Sequence, residues 1–232
     1  MKTVIVLPTY NERENIIRLI PLIFSQMPDI HILVVDDNSP DGTGSAVETL
    51  TAQYSNVSLL RRANKEGLGK AYIHAFREVL KDETVDTVVM MDADLSHDPS
   101  YLPRMLGMRE SHDVIIGSRY VAGGSTEGWE KWRLLLSFFG NRYARFITGL
   151  PIHDITAGFI AIHTRLLRNI PFADIDSSGY AFIIELKYLL WKAGARMYEV
   201  PIVFRNRAEG ESKISSHIIS EGIIAPWKIR FR

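Results

Sequence analysis

The 232-residue sequence predicts an α/β protein with a mostly parallel sheet covered by helices on both faces. Short runs rich in Val and Ile recur along the first half of the chain. Between them lie segments whose apolar residues have the 3.6-residue spacing of an amphipathic helix. Strands and helices that alternate in this way are typical of a parallel sheet with helical layers on both sides.

Five apolar runs are predicted strands, and helices with one apolar face follow the first three of them. The runs are TVIVLP, HILVVDD, VSLLRR, DTVVMMD and DVIIGS. The apolar helix positions are Ile16, Ile17, Leu19, Ile20, Ile23 and Phe24, then Ala46, Val47, Leu50 and Tyr54, then Leu68, Ala71, Tyr72, Ala75, Phe76 and Val79. Right-handed crossovers should join the parallel strands.

The pattern changes after about residue 119. The segment WEKWRLLLSFFGNRYARFITGL reads as a helix that is broadly apolar and also carries three arginines. A second amphipathic helix is predicted over SGYAFIIELKYLLWKAG, a strand over MYEVPIVF, and an aromatic and basic tail over APWKIRFR. No linker long enough to separate two domains is found.

Composition excludes several classes of function. Lys and Arg together number 27, as do Asp and Glu, so no global charge attracts nucleic acid. The absence of cysteine excludes disulfides and thiolate metal sites. No segment approaches the roughly 20 apolar residues of a membrane-spanning helix, so none is predicted.

Seven residues with polar side chains lie at or just beyond the ends of the first, second and fourth predicted strands. They are Thr9, Tyr10, Glu12, Asp36, Asp37, Asp92 and Asp94. In open α/β sheets, ligands bind outside the carboxyl ends of the strands. We therefore expect these side chains to gather at one edge of the sheet.

Asp92 and Asp94 are separated by one residue, so both side chains can point the same way. Mg²⁺ or Mn²⁺ prefers oxygen ligands and is often held by one or two carboxylates together with substrate phosphates. The pair alone is equally compatible with a solvated acidic loop, but its position after a buried strand favours a metal site. A phosphoreceiver domain is a further alternative, although the chain is much longer than such a domain.

Eight motifs in order along the chain carry a family resemblance. They are VIVLPTYNERENI, VVDDNSPDGTG, GLGKAYIHAF, MDADLSH, GSRY, TAGF, SGYAF and RAEGESK. Together they resemble glycosyltransferase family 2, with its nucleotide-binding GT-A fold, and within it the polyprenyl-phosphate (dolichyl-phosphate) mannosyltransferases. The resemblance runs from residue 4 to about 216. It implies a GT-A catalytic domain over residues 1–216 that includes an interfacial helix at 129–148. A C-terminal helix or tail at 217–232 would face a membrane or a partner.

The resemblance also implies an activity. Mannose would move from GDP-mannose to polyprenyl phosphate with inversion at the anomeric carbon, and GDP would leave, with Mg²⁺ or Mn²⁺ as cofactor. One alternative is a glucosyltransferase that uses UDP-glucose with the same lipid. The other is a non-catalytic subunit that binds a nucleotide sugar, against which the intact D-x-D and GESK motifs argue.

The donor site follows from the matching positions. The implied nucleotide contacts are Pro8, Tyr10, Glu12, Asp37, Asp92, Arg207 and Lys213. Asp92 and Asp94 are implied to hold the metal ion and the diphosphate. Ser96 stands where close relatives carry a Gln metal ligand. Its shorter side chain leaves direct ligation and ligation through a water as alternatives.

The acceptor phosphate is implied to contact Arg119, Arg133 and Ser137. Arg207 and Lys213 match a loop that closes over the diphosphate and the acceptor. The implied catalytic residues are therefore Asp92, Asp94, Arg119, Arg207 and Lys213. A phosphate monoester has a second pKa near 6, so its oxygen is already anionic near neutral pH and needs no general base.

Several of these residues also have simpler interpretations. Arg133 could belong to the solvated face of an ordinary helix. Asp154, before TAGF, could bind sugar hydroxyls or cap the following turn. His97 reads as a loop residue, and Lys65 and Lys70 read as exposed charges.

The lipid substrate raises the question of a membrane, since a polyprenyl chain is too apolar to leave the bilayer. The helix at 129–148 and the tail WKIRFR suit an interfacial position, and the alternatives are burial within the domain or against a partner. Some relatives carry spanning helices, whereas others rely on a small membrane subunit. The sequence resembles the second group. We therefore expect peripheral binding at the cytoplasmic face of a membrane.

Overall fold

A seven-stranded sheet forms the centre of the protein. The structure is a computed structural model that describes residues 2–175, 177, 179–205 and 216–231, and only the backbone of 216–221. The strands are β1 (Lys2–Thr9), β2 (His31–Asp36), β3 (Val57–Arg61), β4 (Val85–Met90), β5 (Val114–Ser118), β6 (Ser125–Glu127), β7 (Ile160–His163), β8 (Met197–Pro201) and β9 (Val203–Arg205).

The described residues form eight α-helices and two short 3₁₀ turns. The helices are α1 (Arg13–Gln26), α2 (Thr43–Gln53), α3 (Leu68–Val79), α4 (Leu102–Gly107), α5 (Lys131–Thr148), α6 (Thr164–Leu167), α7 (Gly179–Lys192) and α8 (Ser216–Phe231). The 3₁₀ turns are Pro99–Tyr101 and Met108–Glu110. The predicted helix at 129–148 begins two residues later than expected, at Lys131.

The strand order in the large sheet is β3-β2-β1-β4-β7-β5-β8. Strands β1 to β4 pair in parallel, β5 pairs in parallel with β8, and β7 runs antiparallel between β4 and β5. The predicted α/β class with a mostly parallel sheet is confirmed. The four-residue strand β7 was not predicted, because its apolar run is too short to stand out.

Helices cover both faces of this sheet, as the sequence predicts. Side chains alternate along β1, so Val4 and Val6 enter one apolar cluster while Ile5 and Leu7 enter the other. The first cluster contains residues of α3, α6 and α7, and the second contains residues of α1, α2 and α4. Because β1, β2, β3 and β4 pair in parallel, their carboxyl ends meet at one edge of the sheet.

The prediction of one strand over MYEVPIVF is wrong. The chain forms β8 in the large sheet, leaves it at Ile202, and forms β9 in a separate parallel pair with β6. The N–H of Ile202 donates to Ser118 O, and the hydroxyl of Tyr101 accepts from the N–H of Val203 at 3.0 Å. Pro201 lacks an N–H, which limits continued pairing at this point. The break directs β9 toward the loops beyond β4 and β5.

Helices α5 and α8 pack against each other and share an exposed apolar surface. Tyr143 Oη donates to Ile223 O at 3.0 Å and accepts from Trp227 Nε1 at 2.8 Å. The α5–α8 surface consists of Trp132, Leu134, Leu135, Leu136, Phe138, Phe139, Phe146, Ile223, Ile224, Trp227 and Phe231, all exposed. The alternative that these side chains are buried within the domain is therefore wrong. Within the ranges that the structure describes, none of the helices has the length and apolarity needed to span a bilayer.

Candidate active site

The carboxyl ends of β1, β2 and β4 lie side by side, because these three strands are neighbours and parallel. The structure therefore brings together the polar residues that follow each of them. Pro8 and Thr9 end β1, Asp36 ends β2, and the loop with Asp92 and Asp94 follows β4.

Asp36 is a structural residue of this edge. Its side chain is fully buried, and Oδ1 accepts from Ser39 Oγ at 2.5 Å and from Thr9 Oγ1 at 3.1 Å. Ser39 Oγ in turn accepts from the N–H of Asn11 at 3.0 Å, and Asn11 has a positive φ of 61°. These bonds join the loops after β1 and β2 and fix the backbone that carries Tyr10.

Asp37 pairs with an arginine that was not predicted as a site residue. Arg62, just beyond β3, donates to Asp37 Oδ1 at 2.5 Å and to Glu66 at 2.7 Å, and the side chains of Asp37 and Arg62 are buried. The ammonium of Lys65 lies 3.7 Å from the centre of the Tyr10 ring. Lys65 is therefore more than an isolated exposed charge, since a cation over an aromatic face is stabilised by it.

Glu12 lies at the start of α1 and helps to hold its first turn. Its N–H donates to Thr43 Oγ1 at 3.0 Å, and its carboxylate accepts from Asn15 Nδ2 at 2.6 Å. The side chain of Glu12 is partly buried. The implied contact of Glu12 with a nucleotide stays a prediction.

The D-x-D loop is tightly folded around Asp94. Asp94 Oδ1 accepts from Ser96 Oγ at 2.5 Å and from the Ser96 N–H at 3.1 Å, and both residues are buried. Leu95 between them has a φ of 63°, a conformation that is rare for a branched side chain. Ser96 therefore orients Asp94 by donating to its Oδ1 atom. The predicted role of Ser96 as a metal ligand remains a prediction.

His97 lies in the loop after β4, as the sequence predicts, but its side chain is not solvated. It is buried, stacks on Phe159 with ring centres 5.0 Å apart, and meets the edge of Phe204 at 5.5 Å. Its Nδ1 accepts the backbone N–H of Asp92 at 3.0 Å, so its proton lies on Nε2 when the ring is neutral. His97 thus holds the backbone of the first acidic residue in place.

The chemistry of this loop fits a hard divalent cation. The side chain of Asp92 is 34% exposed, and Gly158 lies against its carboxylate: a Cβ there would stand 3.8 Å from both oxygens. The described residues contain no group of three or more Asp, Glu or His that could surround an ion. Two carboxylates suit an ion that completes its shell with substrate phosphates and water. Asp92 and Asp94 would hold it.

Arg119 forms a buried ion pair with Asp154. Its Nε and Nη2 donate to the two carboxylate oxygens at 2.8 and 2.6 Å, and Nη2 also donates to Thr156 Oγ1 at 2.9 Å. Neither earlier interpretation of Asp154, sugar binding or turn capping, describes this bidentate contact. The positive charge of Arg119 is largely balanced, which weakens its predicted role as a direct phosphate ligand.

The attraction between the two charges lowers the pKa of Asp154 and raises the pKa of Arg119. Burial alone raises the pKa of Asp154, but the charge and hydrogen bonds of Arg119 outweigh it and lower that pKa. Burial lowers the pKa of Arg119, and the carboxylate of Asp154 more than offsets this, so the pKa of Arg119 is raised. The pair is therefore fully ionised at neutral pH.

An apolar groove opens beside Arg119. It has a volume of about 410 Å³ and lies between the backbone near β6 and one side of α5. Its lining residues are Arg119, Tyr120, Gly124, Ser125, Thr126, Leu134, Leu135 and Phe138. A groove lined mostly by apolar groups and by one arginine suits an amphiphile with an anionic head.

Arg133 and Ser137 lie on α5 next to this groove. Arg133 is half-buried, with its guanidinium carbon 4.1 Å from the centre of the Trp129 ring. Ser137 Oγ accepts from Tyr120 Oη at 2.7 Å. Arg133 is therefore not part of a solvated helix face. Arg119 and Arg133 both face the Trp129 ring, and Ser137 bonds to Tyr120, which Arg119 also contacts. Their predicted contact with an acceptor phosphate stays a prediction.

One aromatic side chain connects the acidic loop with this basic cluster. The ring of Phe204, on β9, meets His97 at 5.5 Å, Trp129 at 5.6 Å and the guanidinium of Arg119 at 5.4 Å. His97 in turn holds Asp92. Phe204 therefore contacts both the histidine that holds the Asp92 backbone and the arginine at the groove.

The family model for "Glycosyl transferase family 2" matches residues 4–170. The chain belongs to glycosyl transferase family 2. It is 43% identical to polyprenol monophosphomannose synthase of Mycolicibacterium smegmatis, over 100% of this chain and 88% of that protein. It is 41% identical to undecaprenyl-phosphate mannosyltransferase of Micrococcus luteus, over 97% of this chain and 92% of that protein. This protein is thus a glycosyltransferase.

Solved structures of other glycosyltransferases share its fold. Glucosyl-3-phosphoglycerate synthase from Mycobacterium tuberculosis, with Mn²⁺, UDP and phosphoglyceric acid, has a TM-score of 0.69 at 20% identity, over 99% of this chain and 78% of that one. A mannosyltransferase from Pyrobaculum calidifontis, with GDP-Man and Mn²⁺, has a TM-score of 0.61 at 18% identity, over 91% and 58%. The predicted GT-A fold is confirmed.

Two predicted site residues of this family 2 glycosyltransferase, Arg207 and Lys213, lie outside the described residues. Sequence reasoning also missed Lys187 of α7, whose side chain is fully buried behind the 154–157 segment. Its neighbours one turn away, Ile183 and Trp191, are apolar, so a lysine in the apolar stripe of a helix was the available signal.

Proposed function

We propose that this glycosyltransferase moves mannose from GDP-mannose to polyprenyl phosphate, giving polyprenyl-phosphate mannose and GDP with inversion. The observation that carries the proposal is the position of Phe204. Its ring contacts both His97, which holds the backbone of Asp92, and Arg119, which lines the apolar groove. Support also comes from two relatives above 40% identity whose names specify mannosyl or phosphomannose products on polyprenyl lipids.

The donor would lie over the carboxyl ends of β1, β2 and β4. Tyr10 and the Asp37–Arg62 pair offer an aromatic face and a fixed carboxylate to a nucleoside. Asp92 and Asp94 would hold Mg²⁺ or Mn²⁺, which neutralises charge that develops on a diphosphate leaving group. The mannosyltransferase of similar fold that contains GDP-Man and Mn²⁺ supports this choice of donor and cofactor.

The acceptor would place its phosphate near Arg119, Arg133 and Ser137 and its first isoprene units in the groove. Arginine binds phosphate oxygens in a bidentate manner. Because the charge of Arg119 is balanced by Asp154, Arg133 supplies most of the attraction in this arrangement. The acceptor oxygen is anionic near neutral pH, so it attacks the anomeric carbon without proton removal.

The α5–α8 surface would rest on the membrane that contains the lipid. Its exposed aromatic and aliphatic side chains adjoin the groove, since Leu134, Leu135 and Phe138 belong to both. A helix with aromatic and basic residues is suited to the bilayer interface. We propose peripheral binding at the cytoplasmic face, with a small membrane subunit as a further partner.

The test is product formation by the purified protein. It would be incubated with Mn²⁺, a short polyprenyl phosphate and either GDP-mannose or UDP-glucose, and lipid-linked sugar would be measured. Lipid-linked mannose is expected only from GDP-mannose. Product only from UDP-glucose would support the glucosyltransferase alternative, and nucleotide binding without any product would support the non-catalytic alternative.

Two variants separate the metal site from general damage. Asp94→Ala should abolish turnover, whereas Asp29→Ala should not change it, because Asp29 is exposed at the opposite edge of the sheet.

Arg133→Gln should raise the apparent KM for the lipid more than the KM for the sugar nucleotide. The reverse order of effects would move the acceptor phosphate away from α5.

A further inference from the structure

Lys187 is a lysine without access to solvent in the middle of α7. Its Nζ donates to three backbone carbonyls, those of Asp154 at 3.0 Å, Ile155 at 2.9 Å and Ala157 at 2.8 Å. An ammonium group has three donors, and here each of them meets one carbonyl. One side chain thus bonds three of the four residues from 154 to 157 and restricts the backbone conformation of this segment.

The 154–158 segment reaches both halves of the active site. At one end, the Asp154 carboxylate binds the guanidinium and the N–H of Arg119, which lines the groove. At the other end, Gly158 lies against the carboxylate of Asp92. A small shift of this segment would therefore change the distance between the acceptor groove and the acidic loop.

The middle of the segment is held from the opposite side. Asn141 on α5 accepts from the Thr156 N–H at 3.1 Å and donates to Thr156 Oγ1 at 3.1 Å. Asn141 also donates to Ser137 O at 2.8 Å. The segment is therefore fixed between α7 and the helix that carries the predicted acceptor residues.

We propose that Lys187 is a positioning residue for sugar transfer: it sets the 154–158 segment so that the groove at Arg119 and the loop at Asp92 hold their substrates at reacting distance. This inference rests on the proposed function. The hydrogen bonds of Lys187 run to backbone carbonyls and to none of the described residues assigned to metal or phosphate, so it acts through the backbone it holds. Misplacement of a reacting group by about 1 Å can reduce a rate about 10²-fold.

The protonation state of Lys187 gives the proposal a separate readout. Burial and, to a smaller extent, Arg119 lower the pKa of Lys187 and outweigh the opposing carboxylates of Asp154 and Glu199, so that the pKa is lowered to about 7. The neutral amine has only two N–H donors, so one of the three carbonyls loses its hydrogen bond as pH rises through this range. We therefore expect kcat to fall on the alkaline side.

The experiment compares Lys187→Met, Lys187→Arg and the matched control Lys192→Met with the unmodified protein. Lys192 is an exposed lysine of the same helix. The assays are mannose transfer to a short polyprenyl phosphate from GDP-mannose with Mn²⁺, and GDP binding with Mn²⁺ by calorimetry. For Lys187→Met, kcat should fall about 10²-fold. The Kd for GDP should change less than about threefold, because Ser96 and His97 hold the acidic loop independently.

The pH profile distinguishes positioning from a purely structural role. Between about pH 6.5 and pH 9, kcat of the unmodified protein should decline, and Lys187→Arg should lose this decline because arginine does not titrate there. A merely destabilised variant would lower the folded fraction and leave the profile unchanged. Circular dichroism and thermal unfolding report whether each variant is folded.

The outcomes are separable. If the unmodified protein makes no lipid-linked mannose, the proposed function fails, whatever the variants do. If it is active and folded Lys187→Met retains kcat, or Lys187→Arg keeps the alkaline decline, the positioning role is wrong. If neither variant folds, the unmodified protein decides: a flat kcat over the same pH range overturns the proposal, and a decline supports it.

Discussion

The buried pair of Arg119 and Asp154 allows a quantitative prediction for Asp154→Asn. The substitution keeps the shape of the side chain but removes the negative charge that two guanidinium nitrogens contact at 2.6 and 2.8 Å. Both side chains are almost inaccessible to water, at 7% and 0% exposure. The variant therefore leaves a charged guanidinium buried without its counter-ion.

The expected loss follows from that burial. Removing one partner of a buried ion pair reduces the free energy of unfolding by about 3–5 kcal/mol. For a chain of this size, 1 kcal/mol corresponds to roughly 2–4 °C in Tm, so Tm should fall by roughly 6–20 °C. The amide retains one oxygen acceptor, which favours the lower half of this range.

The measurement is equilibrium unfolding in urea, followed by circular dichroism, for the unmodified protein, Asp154→Asn, Arg119→Gln and the double variant. The sum of the losses in unfolding free energy of the two single variants should exceed the loss of the double variant by at least about 1.5 kcal/mol. The reason is that substitutions of residues in direct contact do not have additive effects. Additive losses, or a loss below about 1 kcal/mol for Asp154→Asn, would refute the reasoning.

The same pair predicts a dependence on pH. The pKa of Asp154 in the folded protein lies below the unfolded value of about 3.9. Its contribution to stability is therefore present above about pH 4 and is lost as pH falls through the lowered folded pKa. Asp154→Asn should lose less stability than the unmodified protein over this acidic range. Equal losses would show that other carboxylates account for the acid sensitivity.

Two further predictions concern the acidic loop and the membrane. Ser96→Ala removes the hydroxyl that donates to Asp94 Oδ1. Residues that hold metal ligands contribute about 10–100-fold to metal affinity, so the Kd for GDP with Mn²⁺, measured by calorimetry, should rise about tenfold. An unchanged Kd would contradict this role of Ser96. Replacing both Phe139 and Phe146 by Ser should reduce co-sedimentation with liposomes at least about tenfold. The Tm should not fall, because both rings are exposed. Undiminished binding to liposomes would place the membrane contact elsewhere on the protein.

Much of the fold and part of the site follow from sequence pattern. The apolar runs of β1, β2 and β4 and the helices between them determine which strand ends meet, so the acidic edge was predictable. Short elements were not: β7 has four residues, and the break at Ile202 depends on which neighbour each strand finds. The roles of His97 and Lys187 were also not predictable, because each depends on backbone groups that lie close only in the folded chain.

The sequence by itself determined the α/β class, the family and the acidic and arginine-containing motifs, because these depend on local periodicity and on residues at fixed spacing. Only the tertiary structure decided that Asp154 balances the charge of Arg119, and that Phe204 joins the groove to the acidic loop. Those contacts join residues 35 or more positions apart. Packing of the helices on the sheet brings these residues together, and no local pattern in the sequence indicates that they are close in space.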